Sequence, residues 1–291
     1  MSKTALVLSG GGAKGAFQAM AEKYAREVKG YHWDIIAGVS VGALNGTMLA
    51  MEKYDRIEEI WKTITAEQVY TGGLNVWSIL KLLVGAQSVY GNEPLWEMLE
   101  REVEPDKIKV DLRVGVVSLR TGQYVPFRPS YPGFKKAVLA STAIPLVWTP
   151  VDIAPEQPDM VDGGLRNYSP LGDVLDAEPD EIVIINCSPR DPPVREKPFK
   201  NALEIGMAAL SVALNEIFVT DLREFLRIDH NVQQAEECGA VLTNPEGKVY
   251  KRYAHHIIEP DEPLGDTMDF SRVTLNRHME AGWEKAREVL G

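Results

Sequence analysis

Residues 33–51 read WDIIAGVSVGALNGTMLAM, and this stretch decides the fold. Its first part, Trp33–Val39, is largely apolar and typical of a buried strand, whereas the apolar positions within Val41–Met51 recur at helical spacing. The same alternation precedes it, because Thr4–Leu8 predicts a strand and residues from about Ala16 to Val28 predict a helix. Continuous apolar strands that alternate with helices are typical of a mostly parallel sheet covered on both faces. The sequence therefore predicts an α/β fold.

Two further strands are predicted at Leu112–Ser118 and Glu181–Asn186, so the sheet should span most of the chain. A helical insertion covers residues 72–92, where apolar side chains recur at helical spacing between glycines. A mobile cap over a site has this composition, and so does a helix of the ordinary core. The sequence leaves both interpretations of this segment open.

The C-terminal third of the chain is predicted to be helical. Residues from about Asn201 to Gln234 are typical of one or two long helices, and Asp269–Leu290 forms an amphipathic segment. The proline-rich, charged segment Ser188–Lys200 is the best candidate for a linker. It separates helices from the sheet without separating two cores, because the amphipathic segment needs a surface to pack on.

The domain prediction follows from this arrangement. No internal repeat and no low-complexity tract divides the chain. We therefore predict a single domain over residues 1–291, with a motif core at about 4–190 and a helical C-terminal extension at about 200–291.

Composition and charge limit the classes of binding partner that the chain is expected to have. The 291 residues are 45% apolar and 25% charged, which is ordinary for a globular protein. Basic residues number 31 and acidic residues 42, so the net charge of −11 repels polyanions and predicts no nucleic-acid partner. The two cysteines, Cys187 and Cys238, lack the spacing of a disulfide framework or a zinc site, and they suit a cytoplasmic location.

The sequence contains no apolar run long enough to form a membrane-spanning helix. The best candidate, Val76–Ala86, is short and interrupted by Lys81. The apolar run near the N-terminus, Ala5–Leu8, is too short for the core of a signal peptide and runs into a glycine turn. We therefore expect any membrane contact to be peripheral.

The first chemical motif is the GxSxG pattern of Gly38, Ser40 and Gly42, which sits between the predicted strand and helix. This is the setting of a nucleophile elbow, where flanking glycines are needed because side chains there would collide with the neighbouring helix and strand. A helix beginning at Ser40 also aims free N–H groups at a reacting carbonyl. The alternative is that Ser40 only caps the helix. The motif alone does not decide whether Ser40 is a nucleophile or a helix cap.

A glycine-rich loop follows the first strand. Its residues are Gly10, Gly11, Gly12, Ala13, Lys14 and Gly15. The pattern is formally GxGxxG, but the second strand carries Asp34 at its beginning instead of a ribose-binding carboxylate at its end. A P-loop also fails, because Ala16 stands where that motif needs Lys. Consecutive glycines can instead bring main-chain N–H groups close to an oxyanion, and we expect the Lys14 ammonium to be solvated.

A serine nucleophile needs a base, and the five histidines are poor candidates. His32 precedes the second strand, at the end opposite Ser40, and the other four lie in polar surroundings typical of the surface or of helix ends. Those four are His230, His255, His256 and His278.

A better-marked candidate is Asp162, which follows two apolar residues and precedes Gly163 and Gly164. The alternative is an Asx turn, for which Asp before glycine is common. Loss of water beside Ser40 would raise the pKa of this carboxyl toward the range in which it acts as a base.

Together the motifs GGGAKG, GVSVG and DGG, in this order, resemble the patatin-like phospholipase family. The segment ASTAIPLVWTPV, residues 140–151, and the positions of Asn167 and Pro170 strengthen the resemblance. It covers the chain from residue 5 to about residue 170.

The resemblance implies a three-layer α/β/α sandwich with a mostly parallel central sheet, and a Ser–Asp dyad without histidine. Ser40 would then be the nucleophile and Asp162 the base, with Gly10–Gly12 in the loop that supplies oxyanion donors. Many members carry Arg where this chain has Lys14, which leaves the role of Lys14 open. No metal and no cofactor are expected.

The implied activity is hydrolysis of carboxylic esters in lipids, of the phospholipase A or lysophospholipase type, through an acyl-enzyme. General carboxylesterase, thioesterase and transacylase activities use the same intermediate, and a non-enzymatic nucleotide-binding protein is a distant alternative. The expected partner is a lipid or another acyl ester, and Trp77, Leu80, Leu83 and Trp96 are candidates for an acyl channel.

Overall fold

A seven-stranded sheet is the centre of the computed structural model, which describes residues 2–72, 90–191, 198–199 and 202–291. In chain order the strands are β1 (Thr4–Leu8), β2 (Ile35–Gly38), β3 (Thr71–Gly72), β4 (Tyr90–Gly91), β5 (Asp111–Ser118), β6 (Tyr124–Phe127), β7 (Met160–Asp162), β8 (Glu181–Ile185) and β9 (Ala254–Ile258). The helices are α1 (Gly15–Glu27), α2 (Val41–Ala50), α3 (Tyr54–Thr63), α4 (Glu93–Glu102), α5 (Phe134–Ser141), α6 (Leu171–Leu175), α7 (Ala202–Glu237) and α8 (Arg272–Leu290).

The sheet is mostly parallel, as predicted. Its strand order is β6-β5-β2-β1-β8-β9, with β7 also paired to β5, and only β6 and β7 run antiparallel to their neighbour. β3 and β4 form a separate small ribbon. In the register, Leu8 lies opposite both Gly38 and Ile185. The carboxyl ends of β1, β2 and β8 therefore lie level at one edge of the sheet, which is where ligands bind in open α/β sheets.

Helices cover both faces, which confirms the three-layer sandwich. Alternate residues of β1 point to opposite faces, because Leu6 and Leu8 belong to one apolar core and Ala5 and Val7 to another. The first core contains residues of α1, α2, α3, α5 and α8, and the second contains residues of α6 and α7. The central strands of the sheet are thus buried by helices on both faces.

The C-terminal region differs from its prediction as a helical extension. β9 joins the central sheet as a parallel neighbour of β8. Its sequence, AHHII, contains two histidines and lies at the edge of the sheet, so it lacks the continuous apolar run that marks a buried strand. α8 packs closely on α1, where a Cβ at Gly282 would lie 2.1 Å from the Phe17 carbonyl oxygen. The single-domain assignment stays a prediction.

α7 is one helix of 36 residues where one or two were expected. Within the described ranges, neither α7 nor another helix combines the length and the apolar character that crossing a membrane requires. Most of the predicted insertion at 72–92 and part of the predicted linker at 188–200 lie outside the described residues.

Candidate active site

Ser40 lies on a strained turn between β2 and α2. Its backbone has φ 55° and ψ −128°, in the region that favours glycine. A residue held in such a conformation costs about 1–3 kcal/mol and persists only where its surroundings fix it. Ser40 occupies the N-cap position of α2, but its side chain makes no capping hydrogen bond. The capping role left open by the sequence therefore does not describe this serine.

The two glycines of the GxSxG motif allow the turn to close. A Cβ at Gly38 would lie 2.3 Å from the Gly42 carbonyl oxygen, and a Cβ at Gly42 would lie 2.3 Å from the Leu8 carbonyl oxygen. Both obstacles are backbone atoms, which cannot rotate away as a side chain can. The start of α2 is thus pressed against the ends of β1 and β2.

Ser141 supports the turn from the side of α5. Its hydroxyl accepts a hydrogen bond of 2.9 Å from the Ser40 amide and donates one of 2.7 Å to the Gly115 carbonyl. Ser141 is fully buried. Sequence reasoning did not single it out, although it lies in the ASTAIP segment on which the family resemblance rests.

The register of β5 explains how Asp162 reaches Ser40. β2 ends at Gly38, opposite Val114, and β7 ends at Asp162, opposite Val116. Because β6 occupies the other side of β5 at these positions, β2 and β7 lie on the same side and meet end to end. Two residues along a strand correspond to about 7 Å. The side chains that follow the two strand ends are thereby brought together.

The glycines after Asp162 fix the carboxyl group. Asp162 Oδ1 accepts a hydrogen bond of 2.8 Å from the Gly164 amide, which is the Asx turn considered as an alternative. A Cβ at Gly163 would lie 2.3 Å from the Gly115 carbonyl oxygen, so only glycine lets the loop pass this close to β5. The Asx turn and the position beside Ser40 are therefore compatible, since one turn provides both.

The Asp162 carboxyl is buried and has a pKa suited to proton transfer near neutrality. Burial raises its pKa from the ordinary 3.8 to about 7, although hydrogen bonds from the Ser40 hydroxyl and the Gly164 amide act in the opposite direction. Ser40 and Asp162 expose only 6% and 5% of their surfaces. The structure thus places the Ser40 hydroxyl close enough to affect the pKa of the Asp162 carboxyl, and both residues are buried.

The glycine loop holds main-chain N–H groups beside Ser40. The Gly10 amide donates to the Tyr168 carbonyl at 3.1 Å, and the Ala13 amide donates to the Thr267 carbonyl at 2.8 Å. Among the described residues, the N–H groups of Gly11, Gly12 and Val41 donate to no protein acceptor. Gly12 and Val41 line the same cavity as Ser40. The candidate oxyanion donors are therefore the N–H groups of Gly11 and Gly12 in the predicted loop and that of Val41 at the start of α2.

Packing alone accounts for several glycines of this loop. A Cβ at Gly11 would lie 2.4 Å from Cys187 Cβ, one at Gly12 would lie 2.4 Å from the Thr267 carbonyl oxygen, and one at Gly15 would lie 2.2 Å from Val41 Cγ2. Gly12 also has a positive φ of 56°. The glycine pattern thus needs no bound nucleotide to explain it.

Lys14 is half-buried, and the expectation of a solvated ammonium was wrong. Burial lowers its pKa, while the neighbouring Cys187 and Asp266 act to raise it. The residues that cover Lys14 come from distant parts of the chain, so the local sequence gives no sign of them.

None of the five histidines, all of which the structure describes, lines the cavity that contains Ser40, but the surroundings predicted for three of them were wrong. His278 is fully buried, with its ring nitrogens 3.2 Å from the Ala13 carbonyl oxygen and 2.7 Å from that of Leu264. His255 and His256 are half-buried on β9 instead of lying at the surface or a helix end. His278 joins α8 to the glycine loop, a role that no local pattern indicates.

A buried polar network fixes the glycine loop to the helices, and sequence reasoning missed it. Gln18 donates to the Ser9 carbonyl at 2.8 Å, and Asn45 donates to the Gly15 carbonyl at 2.9 Å. Trp61 in turn donates to Asn45 Oδ1 at 2.9 Å. The available signal was a polar residue within an otherwise apolar helical face.

An apolar cavity of about 100 Å³ adjoins Ser40. Residues of α2, α3 and α4 make up half of its lining, and they include Leu44, Met48, Ile57, Ile60, Trp61, Leu95, Met98 and Leu99. Trp96 packs on the core without lining the cavity, because its neighbours on α4 face that way instead. The other proposed channel residues, Trp77, Leu80 and Leu83, lie outside the described residues.

A larger cavity, of about 610 Å³, opens on the other face of the sheet against α6 and α7. Neither Ser40 nor Asp162 lines it, so its size does not mark it as the reactive centre. In the part of the chain that the structure describes, no group of three or more His, Cys, Asp or Glu side chains is arranged to hold a metal ion.

Fold and site together define a class: three-layer α/β proteins with a serine on a glycine-flanked strand-to-helix turn and a carboxyl group beside it. Comparison with known proteins names the family. The model of patatin-like phospholipases matches residues 6–175, and the chain belongs to this family.

No curated protein matches the chain. Among solved structures, VipD from Legionella pneumophila is similar, with 13% sequence identity and a TM-score of 0.48. The match covers 99% of this chain and 66% of the VipD chain.

Proposed function

We propose that the chain is a serine lipid acyl hydrolase that acts through a Ser40–Asp162 dyad and an acyl-enzyme. One observation carries the proposal: Ser40, on its strained turn, lies beside a buried carboxyl whose pKa burial raises to about 7 and the Ser40 hydroxyl partly lowers. A carboxylate with this pKa accepts a proton near neutral pH and also returns it. Family membership supports a lipid substrate.

The first half of the reaction forms the acyl-enzyme. Ionised Asp162 takes the proton from Ser40 as Oγ attacks the ester carbonyl carbon, and the carbonyl oxygen becomes an oxyanion. The free N–H groups of Gly11, Gly12 and Val41 are the proposed donors to that oxyanion. When the tetrahedral intermediate collapses, the carbon–oxygen bond to the alcohol breaks, and Asp162 returns the proton to the leaving alcohol.

Water completes the cycle. Asp162, ionised again, removes a proton from a water molecule as its oxygen attacks the acyl carbon. The second tetrahedral intermediate uses the same N–H donors, and its collapse frees the fatty acid and returns the proton to Ser40 Oγ. Every proton step passes through one carboxyl group, so no histidine is needed.

The substrate is proposed to place its acyl chain in the apolar cavity beside Ser40. The lining side chains offer an apolar wall and few polar partners, which suits a hydrocarbon chain. The net charge of −11 disfavours binding to anionic bilayers, so lysolipids, short acyl esters and thioesters are the favoured substrates. The free cysteines Cys187 and Cys238 suit the proposed cytoplasmic location.

Hydrolysis of nitrophenyl esters over a series of acyl lengths tests this proposal. We expect turnover that rises with chain length up to the capacity of the cavity and that disappears in Ser40→Ala. A flat dependence on chain length would contradict the lipid substrate, and undiminished turnover in Ser40→Ala would contradict the dyad. Product analysis with a competing alcohol separates a transacylase, which would yield a new ester, from a hydrolase.

A further inference from the structure

Two tryptophans line the apolar cavity that contains Ser40, and their indole N–H groups differ. Trp61 on α3 exposes 5% of its surface, and its Nε1–H donates to Asn45 Oδ1 at 2.9 Å. Trp148 exposes 7%, and its Nε1 is shielded from solvent but meets no hydrogen-bond acceptor in the described parts of the chain. The wall of the cavity thus contains one satisfied and one unsatisfied buried indole N–H.

An unsatisfied buried N–H is unusual. The indole nitrogen of tryptophan is a donor only, and it generally finds an acceptor when the ring is buried. Leaving the donor unpaired destabilises the fold, because the unfolded chain gives this N–H to water. Most buried polar groups of native proteins are paired for this reason. The Trp148 N–H therefore lacks an acceptor that a molecule bound in the cavity can provide.

The other buried polar side chains of the described wall, apart from Ser40, have partners within the protein. The Asn45 amide donates to a main-chain carbonyl at the start of α1 at 2.9 Å, and the Thr142 hydroxyl donates to one in α5 at 2.7 Å. Glu102 Oε1 accepts from Arg56 at 2.8 Å. These groups need no ligand to satisfy them, which sets Trp148 apart.

A strained turn precedes Trp148. Leu146 has a positive φ of 72°, which is rare for a residue with a side chain. The turn closes through hydrogen bonds from the Val147 and Trp148 amides to the Ile144 carbonyl, at 3.1 and 3.0 Å. Strained residues of this kind cluster at active sites and ligand-binding sites. The turn leaves Leu146 48% exposed and returns the chain to the core at Trp148.

The same segment contacts both members of the proposed dyad. The Ser141 hydroxyl accepts a hydrogen bond of 2.9 Å from the Ser40 amide, and the Ala143 carbonyl accepts one of 3.1 Å from the Asp162 amide. Trp148 follows Ala143 by five residues and lines the cavity that contains Ser40. Its indole therefore belongs to the wall of the space that a substrate of Ser40 must enter.

We propose that the Trp148 indole N–H donates a hydrogen bond to the substrate, and that the chain selects esters whose acyl group carries an additional acceptor oxygen. The inference rests on the proposed function, which places the acyl group in this cavity. The N–H groups of Gly11, Gly12 and Val41 are the proposed donors to the scissile carbonyl oxygen, so Trp148 is left for a second oxygen. An ether, hydroxyl or keto group provides one.

The apolar wall makes this single donor selective. An oxygen on the acyl group loses its hydrogen bonds to water when it enters an apolar cavity, so most positions along the wall disfavour it. The Trp148 N–H offsets that loss at one position, because it has no competing acceptor in the described structure. The Trp61 N–H offers no such compensation, since Asn45 already accepts from it. The preferred oxygen should therefore occupy one defined place in the acyl chain.

An oxygen scan of the acyl chain tests the inference. In nitrophenyl esters of equal length, one methylene group is replaced by an ether oxygen at successive positions, and kcat/KM is divided by that of the all-carbon ester. We expect one position at which Trp148→Phe lowers this ratio about fivefold relative to the parent, as loss of one neutral hydrogen bond predicts. Comparing variant with parent cancels the intrinsic reactivity of each ester.

Trp61→Phe is the matched control, because Trp61 lines the same cavity with its N–H already paired. It should change kcat/KM for both esters alike and keep the ratio within twofold of the parent. A ratio that falls equally in Trp61→Phe and Trp148→Phe would assign the effect to the shape of the cavity and overturn the inference. So would a ratio that Trp148→Phe leaves unchanged at every position.

Binding to Ser40→Ala protein gives a readout independent of hydrolysis. Calorimetric titration should show that the preferred oxygen-bearing ester binds about fivefold more tightly than the all-carbon ester, and Trp148→Phe in this background should abolish the difference. If the difference is found but the parent hydrolyses no ester, the proposed function fails and the role of Trp148 stands. If esters are hydrolysed and no oxygen position is preferred, the role of Trp148 fails and the proposed function stands.

Nuclear magnetic resonance tests the hydrogen bond without altering Trp148. In Ser40→Ala protein labelled with 15N, one of the six indole N–H signals should move downfield when the oxygen-bearing ester binds and stay in place with the all-carbon ester. Identical spectra with the two esters would overturn the inference. Glyceryl and alkyl esters of one acid provide the last comparison, and a Trp148-dependent preference for the glyceryl ester alone would overturn the assignment to the acyl group.

Discussion

The two glycine-containing turns of the site impose different energetic costs in holding Ser40 and Asp162. The turn at Ser40 strains the backbone, with φ 55° at a residue that has a Cβ. The turn at Asp162 has an unstrained backbone, with φ −50° and ψ 128°, but it buries an ionisable carboxyl. One turn is sterically costly and the other electrostatically costly.

The comparison shows that the site lowers the stability of the fold in two ways, through backbone strain at Ser40 and through burial of a carboxyl group at Asp162. Backbone strain at Ser40 does not depend on pH, whereas the cost of burying Asp162 applies only when its carboxyl is ionised. Mutations at the two positions should therefore raise stability in distinguishable ways while both remove activity. The surrounding packing, including the backbone contacts of Gly38 and Gly42, must hold both turns in place.

The largest effect is expected at Ser40. Both Ser40→Ala and Ser40→Gly should lower kcat by about 10⁴-fold or more, since each removes the proposed nucleophile. Ser40→Gly should also be about 1 kcal/mol more stable than Ser40→Ala, because glycine tolerates a positive φ and alanine does not. Ester hydrolysis and urea unfolding at two pH values measure these effects. Equal stability of the two variants would show that the turn is not strained.

Asp162→Asn is expected to lower kcat about 10²- to 10⁴-fold. Because its folded pKa of about 7 exceeds the ordinary 3.8, the folded protein keeps a proton that the unfolded chain loses between these values. Stability therefore falls as pH rises through this window and stays level above it, by up to about 4 kcal/mol in total. The asparagine variant should thus be more stable than the parent at pH 8, with little gain from the lost charge near pH 4.

Urea unfolding across this pH range checks the sign. A stability gain that grows toward acid pH would contradict a raised pKa. The gain in Ser40→Gly over Ser40→Ala should stay constant over the same range, which separates the steric cost from the electrostatic one.

A smaller effect is expected at Ser141. Ser141→Ala leaves the Ser40 amide without its acceptor, which should cost about 1–3 kcal/mol of stability. We expect kcat to fall about tenfold, because the turn loses part of its support. Ser169→Ala is the matched control, since Ser169 is also buried but its hydroxyl has no partner among the described residues. Equal losses in the two variants would exclude a specific role for Ser141.

The smallest effect is expected for four of the histidines together. Replacing His32, His230, His255 and His256 by asparagine should change kcat by less than about twofold, since neither proton step uses an imidazole. His278 is left in place because it is buried in the fold. A loss of more than about tenfold with normal folding would point to a histidine base.

Local patterns predicted the elements that position the site. The strand predicted at Thr4–Leu8 is observed with those bounds, and the helix predicted at Val41–Met51 ends one residue earlier, at Ala50. Glycines marked both turns, because close approach of backbone to backbone leaves few other residues possible. Features that depend on one short, distinctive stretch were therefore accessible from sequence.

Long-range packing determined what the sequence did not reveal. Ser141 meets Ser40 only because the end of α5 lies beside the turn that follows β2, and Lys14 is covered by parts of the chain that include Cys187 and Asp266. The face of α4 that lines the cavity was also misassigned, since periodicity defines a face without saying what it contacts. These features follow from the assembled fold and not from a local pattern.

The most direct test of the dyad is labelling by a fluorophosphonate, followed by peptide mass mapping across a range of pH. We predict one modified peptide, containing Ser40, formed at a rate that rises with pH around an apparent pKa near 7 and falls at least 10²-fold in Asp162→Asn. A label on another residue, or labelling of Ser40 that depends neither on pH nor on Asp162, would contradict it.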